Sequence, residues 1–220
     1  MTTRVFLIRH GLTTLNAEDR FAGATDVDLS EEGRKQASRL GHRLAEEEIA
    51  AVYMSPMRRT RDTAAFIASP HEITPSVRDG LREIDHGHWE QMRRSEVEEQ
   101  FAEEYAAWEA DPFRFAPKGG ESGVAVMARA LPVIQTAVAA HEGACVALVS
   151  HKATIRLIIS NLLGIDARGY RDRLDLAPAS LSVLDFKDPE RARLVLYNDT
   201  SHYAERPRRS DTALSKWWDR

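Results

Sequence analysis

The chain has 220 residues, 43% of them hydrophobic and 29% charged, enough apolar content for a cored domain and too much for a disordered chain. A formal net charge of -4 excludes a general basic field for gripping a nucleic-acid backbone, while leaving room for a local cationic pocket. The single cysteine, Cys145, excludes an intrachain disulfide and fits a reducing cytoplasm. Met1-Thr2-Thr3-Arg4 lacks the apolar core of a signal peptide, and no stretch is read as reaching the ~20 apolar residues of a membrane span.

In chain order, Val5-Phe6-Leu7-Ile8 reads as a buried strand that stops at Arg9-His10-Gly11, delivering a histidine beside a permanent cation to a strand end. Ser30, ahead of Glu31 and Glu32, is a helix N-cap, and Ala37, Leu40, Leu44 and Ala45 fall on one face of the helix it starts. Ile49 to Met54 is a second strand, after which Pro56 is expected in the first turn of a helix running through Thr63-Ala64-Ala65-Phe66-Ile67. From Asp85 to Gly120 the character changes. Val97, Phe101, Tyr105 and Trp108 recur at helical spacing in an acidic segment, so the aromatic stripe reads as packing and the pairs Glu98-Glu99 and Glu103-Glu104 as a solvated face.

Pro132 is expected to kink or divide the helical stretch from Val124 to Val138. Cys145 to Val149 is a further strand, with Cys145 as a small core hydrophobe. It leads into His151 and a helix carrying Ile155, Ile158, Ile159 and Leu162 that Gly164 ends. Leu181 to Phe186 and Leu194 to Tyr197 form a hairpin across Lys187-Asp188-Pro189-Glu190. The run from Arg206 to Trp218, basic and then aromatic, carries no structural assignment.

Strands alternating with helices define an α/β fold: a three-layer sandwich with a mostly parallel central sheet, helices on both faces and a small helical insertion. Residues 1–220 read as a single domain, with 85–120 a cap insertion and 206–220 a tail.

Arg9, His10, Arg59, Glu83 and His151 stand at strand ends or in the loops after them, where open α/β sheets gather ligands. Together they make a set for phosphoryl transfer. Arginine offers a planar fork that binds phosphate oxygens in pairs and stays charged. A histidine can attack phosphorus when neutral, and neighbouring guanidiniums favour that state. A second histidine can donate to a phosphate oxygen, and a carboxyl group can protonate the leaving oxygen and then activate water. Fixed positive charge does the electrostatic work here, so the set implies no metal and no cofactor. Asp85-His86-Gly87-His88 lacks a second ligand cluster at metal-binding spacing and reads as a loop, with His86 lining the pocket.

The chain resembles the histidine phosphatase superfamily in its phosphoglycerate-mutase-like branch, branch 1. The likeness runs in order through Arg9-His10-Gly11-Leu12-Thr13-Thr14-Leu15-Asn16, Phe21 to Asp26, Leu29 to Gly33 and Ser55 to Ala64. It continues through Leu81-Arg82-Glu83-Ile84, Gly87 to Glu90, Gly119-Gly120-Glu121-Ser122, Val149-Ser150-His151 and Asn198-Asp199. The resemblance implies His10 as nucleophile, Arg9, Arg59 and His151 as the phosphate pocket, and Glu83 as proton donor. It further implies Asn16 and the loop around Gly23 as substrate contacts. Two departures stand out: Lys152-Ala153 where many members have Gly-Gly, and Gln91 where many have Gly. Lys152 either reaches a second anionic group or faces solvent.

The expected activity is a cytoplasmic phosphomonoesterase acting on a small phosphorylated metabolite through a phosphohistidine on His10, without nucleic-acid or membrane partners. A mutase of the same family is the alternative, and a non-catalytic phospholigand-binding or regulatory protein is the alternative of another class.

Overall fold

Alternation along the strands decides how the sheet is used. In a computed structural model, which describes residues 1–14 and 20–204, Thr3–Arg9 forms strand β1. Successive strand side chains point to opposite faces. Val5 and Leu7 therefore enter one core with Val146 and Leu148, while Phe6 and Ile8 enter the other with Ala147 and Val149. A strand apolar on both faces belongs inside a sheet that is covered on both sides.

The remaining strands are β2 (Ile49–Met54), β3 (Ser76–Val77), β4 (Cys145–Ser150), β5 (Leu181–Asp188) and β6 (Arg191–Asp199). They lie in the order β3-β2-β4-β1-β5-β6. The first four run parallel, and β5 and β6 add as the expected antiparallel hairpin. The helices are α1 (Glu31–Leu44), α2 (Arg58–Ala68), α3 (Arg94–Gln100), α4 (Ala102–Ala110), α5 (Gly123–Ala140), α6 (Lys152–Leu162) and α7 (Tyr170–Arg173). Leu40 and Leu44 of α1 and Ala64 and Ile67 of α2 cover the face of Phe6 and Ile8. Ile134 of α5 and Ile155 and Ile158 of α6 cover the face of Val5 and Leu7.

Local signals set the helix ends. Ser30 Oγ accepts the Gly33 amide at 3.0 Å, the N-cap expected of it, and Gly164 stands at φ 66° just past α6. Ala45 is exposed beyond the end of α1 and is not part of its apolar face. Helix α2 starts two residues later than the sequence suggests, at Arg58, with Met57 as N-cap and Pro56 outside it. The Thr60 hydroxyl contacts the carbonyls of both Ser55 and Met57, which fixes the turn before the helix.

Pro132 neither divides α5 nor ends it; the helix runs unbroken from Gly123 to Ala140. Pro132 and Ala128, whose carbonyl loses its helical donor, are both exposed, so water can satisfy that carbonyl while the buried face holds the helix together. This helix also corrects the expectation about membrane-length stretches. Its 18 residues have a mean hydropathy of 1.5, long and apolar enough to cross a membrane by composition, yet Ala130, Ile134, Ala137 and Val138 are packed in the core.

The single helix expected around Val97 to Trp108 is two, broken at Phe101, whose backbone leaves helical geometry at φ -132° and ψ 47°. The break lets Val97 and Trp108 enter one aromatic cluster with Phe21 and Trp89. Glu104 is not simply solvated, because it meets His88 Nε2 at 2.9 Å.

Candidate active site

Strands β1 and β4 are parallel neighbours in the register Arg9↔Ser150, so the next residue of each, His10 and His151, leaves the sheet beside the other. The His10 amide donates to the Ser150 carbonyl at 3.1 Å, and the two rings lie 5.1 Å apart at 62°. This is the carboxyl edge of the parallel strands, next to the point where pairing turns antiparallel.

Hydrogen bonds decide both tautomers. His10 Nδ1 lies 2.7 Å from the Gly11 carbonyl, which can only accept; Nδ1 therefore carries the hydrogen and Nε2 keeps its lone pair. His151 Nδ1 accepts from Arg59 Nε at 3.2 Å, so its hydrogen sits on Nε2 and is directed at Ser55 Oγ, 2.8 Å away. Burial, then the charges of Arg59 and Arg9, hold His10 well below the ordinary histidine value of 6.5. Burial, then Arg59, does the same for His151.

Both rings stay neutral in the folded protein but protonate near 6.5 once it unfolds. Below that value the unfolded chain binds more protons, so stability falls with falling pH, by up to about 1.4 kcal/mol per pH unit for each ring. The urea midpoint should therefore drop steadily between about pH 6.5 and pH 5. A His10→Ala variant should show a shallower drop, and an unchanged slope would contradict the neutral ring.

Arg59 is 1% exposed and commits its fork to the protein: Nε to His151, Nη1 to the Thr25 carbonyl at 2.7 Å and Nη2 to the Gly23 carbonyl at 2.8 Å. Arg9 donates Nη1 to the Leu176 carbonyl at 2.5 Å, but its buried Nε has no partner. Burial, then Arg156, brings the Arg9 guanidinium down to about 10. A buried donor without a partner beside a cavity is a place for a ligand oxygen.

The loop that receives Arg59 hangs from a residue that sequence reasoning missed. Glu90 accepts from the amides of Gly23, Ala24, Thr25 and His86 at 2.9 to 3.1 Å and from Thr25 Oγ1 at 2.6 Å. Burial alone would raise its carboxyl, but the Thr25 hydroxyl and these amides outweigh it and keep it low. At Gly23 a Cβ would fall 1.7 Å from the Ile84 carbonyl, so only glycine fits. Gly23 itself is not in the cavity wall, its amide serving Glu90 and its carbonyl Arg59, but Phe21 and Ala22 of its loop are. Gln91, next along, holds φ 69°, a left-handed backbone conformation that favours glycine. Asn16 lies outside the described residues, as does the tail beyond residue 204.

Glu83 is fixed from two sides. Its Oε1 accepts from the Ile84 and Thr154 amides and Thr154 Oγ1, and Oε2 accepts from the Ala153 amide, all at 3.0 to 3.1 Å. The carboxyl group thus sits at the amino end of α6, directly after His151. Behind it, Arg129 binds the carbonyls of Gly80, Arg82 and Glu83 and pairs with Glu121 at 2.8 Å.

A cavity of about 360 Å³ joins these groups, with Arg9, His10, Arg59 and Glu83 in its wall. His86 lines it as expected, and burial lowers its pKa, while His88 turns to Glu104; the pair does not converge on a metal-like site. His151 is fully buried behind His10 and is not in the cavity wall. The wall also holds Arg20, Arg94, Arg156, Tyr170 and Arg171, which the sequence did not single out, and Trp108, which it read as packing alone. Lys152 faces this space rather than open solvent; burial, then Arg156 and Arg9, pushes its ammonium down to about 7.

An imidazole kept neutral among fixed positive charges, with its free nitrogen beside a cationic cavity, belongs to an enzyme of phosphoryl transfer. Residues 5–200 match the model of the histidine phosphatase superfamily (branch 1), and the chain belongs to that superfamily. It is 33% identical to phosphoserine phosphatase 1 of Hydrogenobacter thermophilus over 92% of this chain and 95% of that one. A metal-independent phosphoserine phosphatase of Arabidopsis thaliana is 31% identical over 91% and 83%. Among solved structures, a mycobacterial glucosyl-3-phosphoglycerate phosphatase superposes with a TM-score of 0.82 at 29% identity, covering 90% of this chain and 99% of that one. The chain is a phosphatase of small phosphorylated metabolites.

Proposed function

We propose that His10 Nε2 attacks the phosphorus of a phosphomonoester held against Arg9 and Arg59. The P–N bond forms as the ester P–O bond breaks, and protonated Glu83 gives its proton to the departing oxygen. Glu83, now a carboxylate, takes a proton from water as that water attacks phosphorus, breaking the P–N bond and releasing inorganic phosphate. His151, with both ring nitrogens engaged by the protein, acts on the site by aligning Arg59 through its Nδ1. The observation that carries this reading is the His10 tautomer: Nδ1 is tied to Gly11, which leaves Nε2 as the nucleophile.

Water is the acceptor in preference to a second metabolite, in keeping with relatives that are phosphatases. Phosphoserine, which two of them act on, is a substrate to try first. The segment 85–120 serves as a cap over the organic part of the ester within a single domain, and the lone Cys145 suits a cytoplasmic setting.

Glu83→Gln tests the proton donor. In single turnovers, phosphorylation by an alkyl phosphate should slow about 10²-fold or more, because an alkoxide leaves poorly without a proton. Phosphorylation by p-nitrophenyl phosphate, whose leaving group needs none, should slow far less. Equal losses on both would remove Glu83 from this role.

A further inference from the structure

The hydrolysis proposed above uses Arg9, His10, Arg59, Glu83 and His151, and does not use several other cations of the same cavity, Lys152 and Arg156 among them. Lys152 and Arg156 stand four residues apart on α6, on one face of the helix, and both line the cavity. Lys152 directly follows His151, and the amides of Ala153 and Thr154 hold Glu83, so this pair adjoins the reacting end.

The pair shares one carboxylate. Asp175 lies 3.8 Å from Lys152 Nζ and 3.2 Å from Arg156 Nη2, and its side chain is 47% exposed, so water screens much of its charge. Two cations facing one screened anion, with Arg9 close by, leave an excess of positive charge. Arg156 is only 6% exposed, and its Nε is buried with no hydrogen-bond partner. An unmet buried donor is unfavourable unless something supplies an acceptor. A ligand anion meets both needs at once.

We propose that Lys152 and Arg156 bind a second anionic group of the substrate, so that the preferred ester is a phosphomonoester whose small skeleton also carries a carboxylate or a further phosphate. The inference rests on the hydrolase reading and names the substrate class of that site. The fork of Arg156 suits the paired oxygens of either group, and the Lys152 ammonium adds a point charge beside it.

Matched substrate pairs test it. Phosphate release is measured with glycerol 3-phosphate against 3-phosphoglycerate, which adds a carboxylate, and with propane-1,3-diol monophosphate against its bisphosphate. In the wild type kcat/KM should favour the doubly anionic member of at least one pair. In Lys152→Met that preference should shrink roughly tenfold, mainly through KM, while Lys152→Arg should retain most of it. The pair with the larger Lys152-dependent preference identifies the second anion as carboxylate or phosphate. No preference in the wild type, or an equal preference in wild type and Lys152→Met, would overturn the subsite while leaving the hydrolase intact. Failure of the wild type to hydrolyse any of these esters or p-nitrophenyl phosphate would sink the hydrolase reading and the subsite with it.

Discussion

Replacing His10 with alanine should lower phosphate release by ~10⁴-fold or more and abolish the covalent phosphoenzyme. The substitution removes the one imidazole nitrogen that the protein leaves free to attack. It leaves in place the cations of Arg9 and Arg59, which can still bind the ester and stabilise charge in attack by water, so a small residual rate is expected. Rapid quenching with a phosphorus-labelled substrate separates the two effects. The wild type should yield a phosphoprotein that survives base and breaks down in acid, as a phosphoramidate does, and the variant should yield none. Turnover within tenfold of the wild type would show that phosphorus is attacked by some other group.

Arg59→Lys keeps the charge and should still cost ~10²-fold or more in kcat/KM, with a loss of about 2–4 kcal/mol in stability. Three donors of the guanidinium diverge to His151 Nδ1, the Gly23 carbonyl and the Thr25 carbonyl. An ammonium is a single point on a thinner stem and cannot reach all three, so buried acceptors lose their donors and His151 loses the bond that fixes its ring. The 23–25 loop would remain hung from Glu90 but would no longer close on α2. Steady-state kinetics alongside urea denaturation reads both consequences. A lysine variant within threefold of wild type in kcat/KM would mean that charge alone is required at this position.

Much of this architecture was legible in the sequence because its signals are local. The apolar runs ending at Arg9 and Ser150 announced strands, Ser30 announced a helix start, and residues following those strands carried the chemistry. What stayed hidden depends on contacts between distant segments. The family-like stretch Gly87 to Glu90 sets Glu90 apart from the other acidic residues, but nothing in it points to a loop more than sixty positions earlier as the thing Glu90 supports. Gly23 looked like a substrate contact because its nearness to the site is real, while its task, giving Arg59 a carbonyl, depends on Ile84 crowding it. Arg156 was within reach of sequence reasoning, since it lies one helical turn from Lys152, but its burial and unmet Nε were not. Pro132 is tolerated because its side of the helix faces water, a fact that local chain stiffness does not carry.

The pairing of Arg9 with Ser150 has an implication for how this protein can fail. A slip of β1 by one residue against β4 would part the two histidines, and the same slip would turn Phe6 and Ile8 out of their core and exchange them with Val5 and Leu7. Because all four side chains are apolar, the slip would mismatch volumes, Phe6 and Ile8 against sites shaped for Val5 and Leu7, and would not expose a face to water. The fit of the two cores and the spacing of the two imidazoles are therefore set by one and the same register.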